Sequence, residues 1–259
     1  MTYVSLYGTI ESEPITWLFE FLFNSDKSIY LMKVWSACLV ACCLFAYLFA
    51  KYSKTSANTV IRKVFHVAIV IIFLTGAKYD LNLLYFTSCA AMLIFVLLES
   101  VRINRLPPLG DQIDRVFRQF IDEKDAGILT LTHIYLLVGF SLPIWIVPDL
   151  KSDLVFASGL ITIGIGDTMA SFVGYLFGRH RWRNSMKTYE GTTAAIVSQI
   201  LGGLLFLYCL NLKISALVVY KLIFISTVVG LIEAKTVQID NLILPLYFHL
   251  IMLALDFVY

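Results

Sequence analysis

The polar residues best suited to chemistry gather in one stretch, "GIGDTMASFVGYLFGRHRWRNSMKTYEGT", from Gly164 to Thr192. Asp167 stands inside an apolar run, and Ala170, Gly174 and Gly178 follow it. These four fall at offsets 0, 3, 7 and 11, so at about 100° per residue they share one face of a helix. Small residues let another backbone or a ligand approach closely. A carboxylate at spanning depth costs roughly 2.5–3.5 kcal/mol on insertion scales, and a cation or water must offset that cost. Two readings are open at this point: a face for helix packing, or the wall of a site.

Beyond the glycine face the chain turns basic, with Arg179, His180, Arg181, Arg183 and Lys187. Thr188, Glu190, Gly191 and Thr192 then open the next apolar run. A helix start presents free backbone N–H groups and the positive end of a dipole. Cations beside it complete an oxyanion or phosphate site. Asp167 suits Mg²⁺, which binds phosphates together with one or two carboxylates.

A second polar stretch, "LIEAKTVQIDNLILPLYFH" from Leu231, places Glu233, Thr236 and Asp240 at offsets 0, 3 and 7, one face if helical. Pro245 has no N–H, so the carbonyl of Asn241 loses its helical partner. This gathering of oxygens suits a metal or a hydroxyl, or simply a capped, solvated loop. Arg62, Lys63 and His66 begin another span and read most simply as anchors at the membrane surface. Glu99 and Arg102 read as a local i,i+3 ion pair. Asp122, Glu123 and Asp125 precede a span that contains His133, a residue that often serves as an interhelical hydrogen-bonding group.

These residues need a membrane to hold them. Of the 259 residues, 59% are hydrophobic and 15% charged, against about a quarter charged in soluble domains. The composition predicts an all-α, polytopic integral membrane protein with about 7–9 transmembrane helices, since each span needs roughly 20 apolar residues. Candidate spans lie near 29–50, 64–78, 81–100, 128–147, 154–178, 191–211, 214–235 and 240–258, with 64–78 the shortest. "PITWLFEFLF" is too short to span and suits the interface. Lys51, Lys54, Arg62 and Lys63 follow the first candidate span. Arg102, Arg105, Arg115, Arg118 and Lys124 follow the third, and Arg179 to Lys187 the fifth. The intervening loops carry only Lys78, Lys151 and Lys213. That alternation predicts cytosolic odd loops, with both termini on the opposite side.

Several classes fall away. "GIGDTMA" has Met169 where a dinucleotide fingerprint needs its third glycine, and no GxxxxGK[ST] loop occurs. The five cysteines form no CxxC pair. The opening residues lack a basic start and make a poor signal peptide. A net charge of +2 supplies no basic surface that would argue for nucleic acid, and none is expected as a partner.

The chain resembles the eukaryotic dolichol kinases, within the wider polyprenol kinase and CTP-transferase group. The resemblance runs from about Val60 to Tyr259. It rests on "RKVFH" at 62–66, "LLESVR" at 97–102, "LTHIYLLVGFSLPIW" at 131–145, "GIGDTMASFVG" at 164–174, "KTYEGT" at 187–192 and "QIDNLILPLY" at 238–247. The family's D-x-x-A, G-x-x-x-G and K-K-T-x-E-G signature falls on Asp167, Ala170, Gly174, Gly178, Lys187, Thr188, Glu190 and Gly191. Met186 stands where the first lysine of the pair would be, which leaves Lys187 and the arginines to carry the phosphate charge.

The resemblance implies CTP as phosphate donor, dolichol or a related polyprenol as acceptor, and a multi-pass protein of the endoplasmic reticulum membrane with its nucleotide site facing the cytosol. It also implies an N-terminal segment, 1–57, that matches weakly, followed by a catalytic membrane domain over 58–259. Asp167, Lys187, Glu190 and Asp240 are the expected catalytic residues. Gly174, Gly178, Arg179, Arg181, Trp182, Lys187, Thr188, Glu190 and Gly191 are expected to bind nucleotide. Asp167 and Asp240 are expected to hold Mg²⁺ or another divalent cation, with Glu190 as a substitute for Asp240. The group that takes the acceptor's proton stays open among Asp240, Glu190 and His133. A cytidylyltransferase forming a CDP-lipid, an ion transporter using Asp167, Glu233 and Asp240, and an inactive short form are the competing expectations.

Overall fold

The structure is a computed structural model and describes residues 14–52, 58–117, 128–146, 153–183, 185–236 and 239–258. Asp122, Glu123 and Asp125, the loop cations Lys54, Arg118, Lys124 and Lys151, and the N-terminal stretch 1–13 lie outside the described residues.

Every regular element among the described residues is helical. In order these are α1 (Pro14–Phe23), α2 (Asp26–Tyr52), α3 (Asn58–Tyr79), α4 (Leu81–Ile103), α5 (Gly110–Phe117), α6 (Thr132–Ile146) and α7 (Asp153–Phe156). A π-helical segment (Leu160–Asp167) leads into α8 (Thr168–Phe177), followed by α9 (Tyr189–Cys209), α10 (Ala216–Lys235) and α11 (Asp240–Val258). Five stretches are long and apolar enough to cross a bilayer: Asp26–Phe49, Leu81–Ile103, Leu160–Phe177, Tyr189–Cys209 and Ala216–Lys235. α6 is a shorter apolar helix. α3 and α11 occupy the remaining predicted positions, with charges at their ends (Arg62, Lys63 and Lys78; Asp240 and Asp256). The protein is a polytopic, all-helical membrane protein.

The expected single helix over 154–178 is instead broken. A short α7 gives way to the π-helical segment, whose wider i→i+5 turns are frequent at functional sites. Close approach is the physical reason for the glycines there. A Cβ at Gly159 would lie 2.6 Å from the Phe140 Cα, and one at Gly166 would lie 2.5 Å from the Gln199 Nε2. Neighbouring helices therefore press directly on this backbone. Leu160, Ile161 and Ile163 are buried here among Phe140, Ile144, Phe206, Leu222 and Leu244. Lipid tails are as apolar as these side chains, so tight packing and small-residue contacts, rather than transfer from water, hold such helices together.

Side chains fix the helix ends. Asp80 caps α4 by accepting from the Leu83 N–H at 3.0 Å, and the Ser28 hydroxyl of α2 donates to its other oxygen at 3.2 Å. Ser215 caps α10 and Thr188 caps α9. At the far end of the α10–α11 pair, the Lys221 ammonium donates to Asp256 Oδ1 at 2.8 Å and to the Leu255 carbonyl at 3.0 Å. Glu99 and Arg102 are more than a local pair. Arg102 grips both Glu99 oxygens at 2.7 Å and also donates to Asp114 and to the Ile128 carbonyl. Glu99 in turn accepts from the Thr130 N–H at 2.6 Å. This network binds α4 and α5 to the chain entering α6. His133 packs between Phe95 and Phe117, with ring centroids 4.9 and 4.4 Å away.

Candidate active site

The two polar stretches singled out from the sequence meet at one end of the bundle. The starts of α3, α6, α9 and α11, the end of α10 and one face of α8 enclose a cavity of about 420 Å³. Its wall carries three carboxylate residues, Asp167, Glu233 and Asp240, and the cations Arg62, Lys63 and Lys187. Each cavity element reaches it from the end served by an odd-numbered loop, the same ends that the basic residues mark.

Local geometry explains how these groups come together. Ala170 and Gly174 pack on the start of α9, and with Asp167 they also line the cavity. A Cβ at Gly191 would lie 2.8 Å from the Ala170 carbonyl oxygen and 3.4 Å from the Gly174 Cα. Packing face and site wall are thus the same surface. Gly178 lies against Thr188 rather than on the cavity, and a Cβ there would meet the Thr188 Cγ2 at 2.7 Å.

The basic loop folds back as a small hairpin. Arg181 and Thr188 pair in antiparallel fashion, the Trp182 N–H donates to the Lys187 carbonyl at 3.0 Å, and the Tyr189 N–H donates to the His180 carbonyl at 2.9 Å. The Trp182 ring stacks on Tyr189 with centroids 4.0 Å apart, and its Nε1–H donates to Thr192 Oγ1 at 2.9 Å. Thr188 Oγ1 accepts from the Gly191 N–H at 3.1 Å, which starts α9. The hairpin aims Lys187 into the cavity. Arg179, Arg181 and Arg183 are exposed and do not line it. Glu190 also points away, to His180 Nδ1 at 2.7 Å and the His180 N–H at 3.3 Å.

Two lysine–aspartate pairs define the interior. Lys187 Nζ donates to Asp240 Oδ2 at 3.1 Å and to the Glu233 carbonyl oxygen at 2.6 Å. Lys63 Nζ donates to Asp167 Oδ2 and, at 3.3 Å, to its carbonyl oxygen. His66 Nδ1 lies 3.9 Å from the same carboxylate. Lys63 and His66 therefore line the cavity beside Asp167. Their basic helix start gave no sign of this, because Asp167 is 104 residues away in the chain. Thr132 and Tyr135 of α6 also line the cavity without having stood out in the sequence.

Glu233 and Asp240 do not share one helix. α10 ends at Lys235, Thr236 is extended, and α11 begins at Asp240, so the two carboxylates meet across the break. Thr236 does not line the cavity. The Asn241 carbonyl freed by Pro245 abuts Gly139 of α6, where any side chain would strike it.

The donor set suits a hard divalent cation. Asp167 and Asp240 each bring a carboxylate to the cavity wall. No cluster of three or more His, Cys, Asp or Glu among the described residues forms a ready metal cage. Mg²⁺ needs none, because it takes one or two carboxylates and completes its shell with waters and substrate phosphates.

A family model described as Dolichol kinase matches residues 2–152. The chain belongs to the dolichol kinase family. It is similar to Dolichol kinase from Homo sapiens, 39% identical over 96% of this chain and 49% of that protein. It also resembles Dolichol kinase EVAN of Arabidopsis thaliana, 32% identical over 91% of this chain and 42% of that protein. Dolichol kinase of Saccharomyces cerevisiae is 30% identical over 90% of this chain and 44% of that protein. The chain thus spans about half the length of the curated relatives it matches. No solved structure matches it.

Proposed function

We propose that the chain carries the catalytic region of a CTP-dependent dolichol kinase, which transfers the γ-phosphoryl group of CTP to the terminal hydroxyl of dolichol or a related polyprenol. The observation that carries this reading is the pair of lysine–aspartate contacts, Lys63–Asp167 and Lys187–Asp240, on one cavity wall. Each lysine stands where a phosphate oxygen would find its cation. Each aspartate stands where a hard metal would find its ligand. Phosphoryl transfer depends on positioning and charge neutralisation more than on covalent chemistry.

In this reading Lys63 and Lys187 leave the aspartates for the triphosphate, and Asp167 and Asp240 turn to the divalent ion. Asp167 and Asp240 would hold Mg²⁺, which would supply charge neutralisation for the triphosphate and its leaving group. The N–H groups at the start of α9, around Gly191, add dipole stabilisation for the phosphates. Glu190 and His180 hold the hairpin that presents Lys187, while Arg179 and Arg181 supply positive potential at the mouth. Gly174 keeps the wall low, and Gly178, Trp182 and Thr188 keep the hairpin seated on α9.

The cavity lies between apolar helices, which suits an acceptor whose tail stays in the bilayer. The excess of basic residues on the odd loops supports a site on the cytosolic face, and the dolichol acceptor suits the endoplasmic reticulum membrane. The test is transfer from labelled CTP in a dolichol-supplemented membrane preparation. Label from the γ position in the lipid product supports the kinase. Label from the α position in the lipid, with pyrophosphate released, would assign a cytidylyltransferase instead.

A further inference from the structure

Of the three carboxylate residues on the cavity wall, two hold a lysine and one does not. Asp167 receives Lys63, and Asp240 receives Lys187. Glu233 is 5% exposed, and its Oε2 has no hydrogen-bond partner. Burying a carboxylate oxygen without a donor is costly, so such groups persist where a ligand supplies the donor. The Lys187 ammonium does not fill that role, since it reaches the backbone carbonyl of Glu233 and the side chain of Asp240. Those contacts hold the last turn of α10 against the hairpin and fix where Glu233 stands.

Lys187 ties Glu233 to the end of the cavity that receives phosphates. Triphosphate oxygens are acceptors and would repel a second acceptor. The missing donor at that point is the hydroxyl of the alcohol substrate. We infer that Glu233 is the catalytic base that accepts the acceptor alcohol's proton, since in that reading Asp167 and Asp240 are committed to the divalent ion. The inference rests on the phosphotransfer reading above.

The step balances as follows. The alcohol O–H proton passes to Glu233 Oε2 as the alcohol oxygen forms a bond to the γ-phosphorus. The bond from that phosphorus to the β,γ-bridging oxygen breaks, and its electron pair leaves with CDP. Protonated Glu233 then returns its proton to water as the products depart.

The experiment compares the wild-type chain with Glu233→Gln and Glu233→Asp in detergent or liposomes, using γ-labelled CTP, Mg²⁺ and dolichol. Mg²⁺·CTP affinity is measured in parallel by equilibrium binding. Loss of about 10²–10⁴-fold in label transfer for Glu233→Gln, with CTP affinity retained, is the expected result. Retained affinity also reports that the variant is folded. Glu233→Asp keeps a carboxylate one methylene shorter and is expected to keep more transfer than Glu233→Gln. Wild-type transfer by Glu233→Gln would overturn the assignment and leave the kinase reading intact. Loss of Mg²⁺·CTP affinity in step with transfer would also overturn it, making Glu233 a ligand of the metal or nucleotide. Absence of label transfer to dolichol by the wild-type chain would overturn the kinase reading together with the inference.

Discussion

Lys63 and Asp167, 104 residues apart in the chain, form an ion pair on the wall of the cavity, joining the start of α3 to the junction of the π-helical segment and α8. This contact brings a helix far upstream in the sequence to the stretch proposed to bind nucleotide.

The pair is predicted to be coupled in binding, not merely additive. Lys63→Met and Asp167→Asn should each weaken Mg²⁺·CTP binding. The double variant should lose less than the sum of the two, with an interaction energy of about 0.5–3 kcal/mol as expected for groups in contact. A double-mutant cycle on CTP affinity measures it.

Met186 lines the cavity next to Lys187. Met186→Lys adds a second cation at the proposed phosphate end. It is exposed, so the gain should be modest, about 0.2–1 kcal/mol in CTP affinity at low salt. The gain should shrink as ionic strength rises, which titrations at two salt concentrations would show.

Gly191→Ala places a methyl group 2.8 Å from the Ala170 carbonyl oxygen, a backbone atom that side-chain rotation cannot move. Separation of α8 from α9 should cost about 1–3 kcal/mol. The variant should show a lower thermal midpoint in detergent and weaker CTP binding together.

Glu99→Gln removes the charge from a buried carboxylate that accepts two bonds from Arg102 and one from the Thr130 N–H. Breaking a buried pair costs up to about 3–5 kcal/mol when the remaining charge is left unpaired, and less here because Arg102 keeps Asp114. A fall in thermal stability is expected, because the network holds the chain entering α6 and with it Thr132 and Tyr135.

Much of this site was legible where its residues lie close in sequence. Asp167, Gly174, Lys187, Thr188 and Gly191 fall within one short stretch, and helical periodicity alone put the first two on a shared face. Asp240 stood out with Glu233 and Thr236 by helical spacing, although the helix breaks between Lys235 and Asp240 and Thr236 leaves the cavity. Lys63 and His66 were not legible, since a basic helix start looks the same whether it meets lipid headgroups or a distant aspartate. Glu233 was visible as a polar residue in a membrane helix, but its lack of a donor is a property of three-dimensional packing. The outward turn of Glu190 to His180 follows from the hairpin, which no spacing rule exposes. The π-helical segment left only Gly159, Gly164 and Gly166 as traces, and glycines alone do not distinguish a widened helix from a close crossing.

Asp167 and Asp240 are proposed to hold a divalent ion against a triphosphate in this cavity. Equilibrium binding of CTP with and without Mg²⁺, for the wild-type chain and the Asp167→Asn/Asp240→Asn double variant, tests it most directly. Mg²⁺ should strengthen CTP binding in the wild type and have little effect in the double variant. An equal Mg²⁺-dependent gain in both proteins would contradict it.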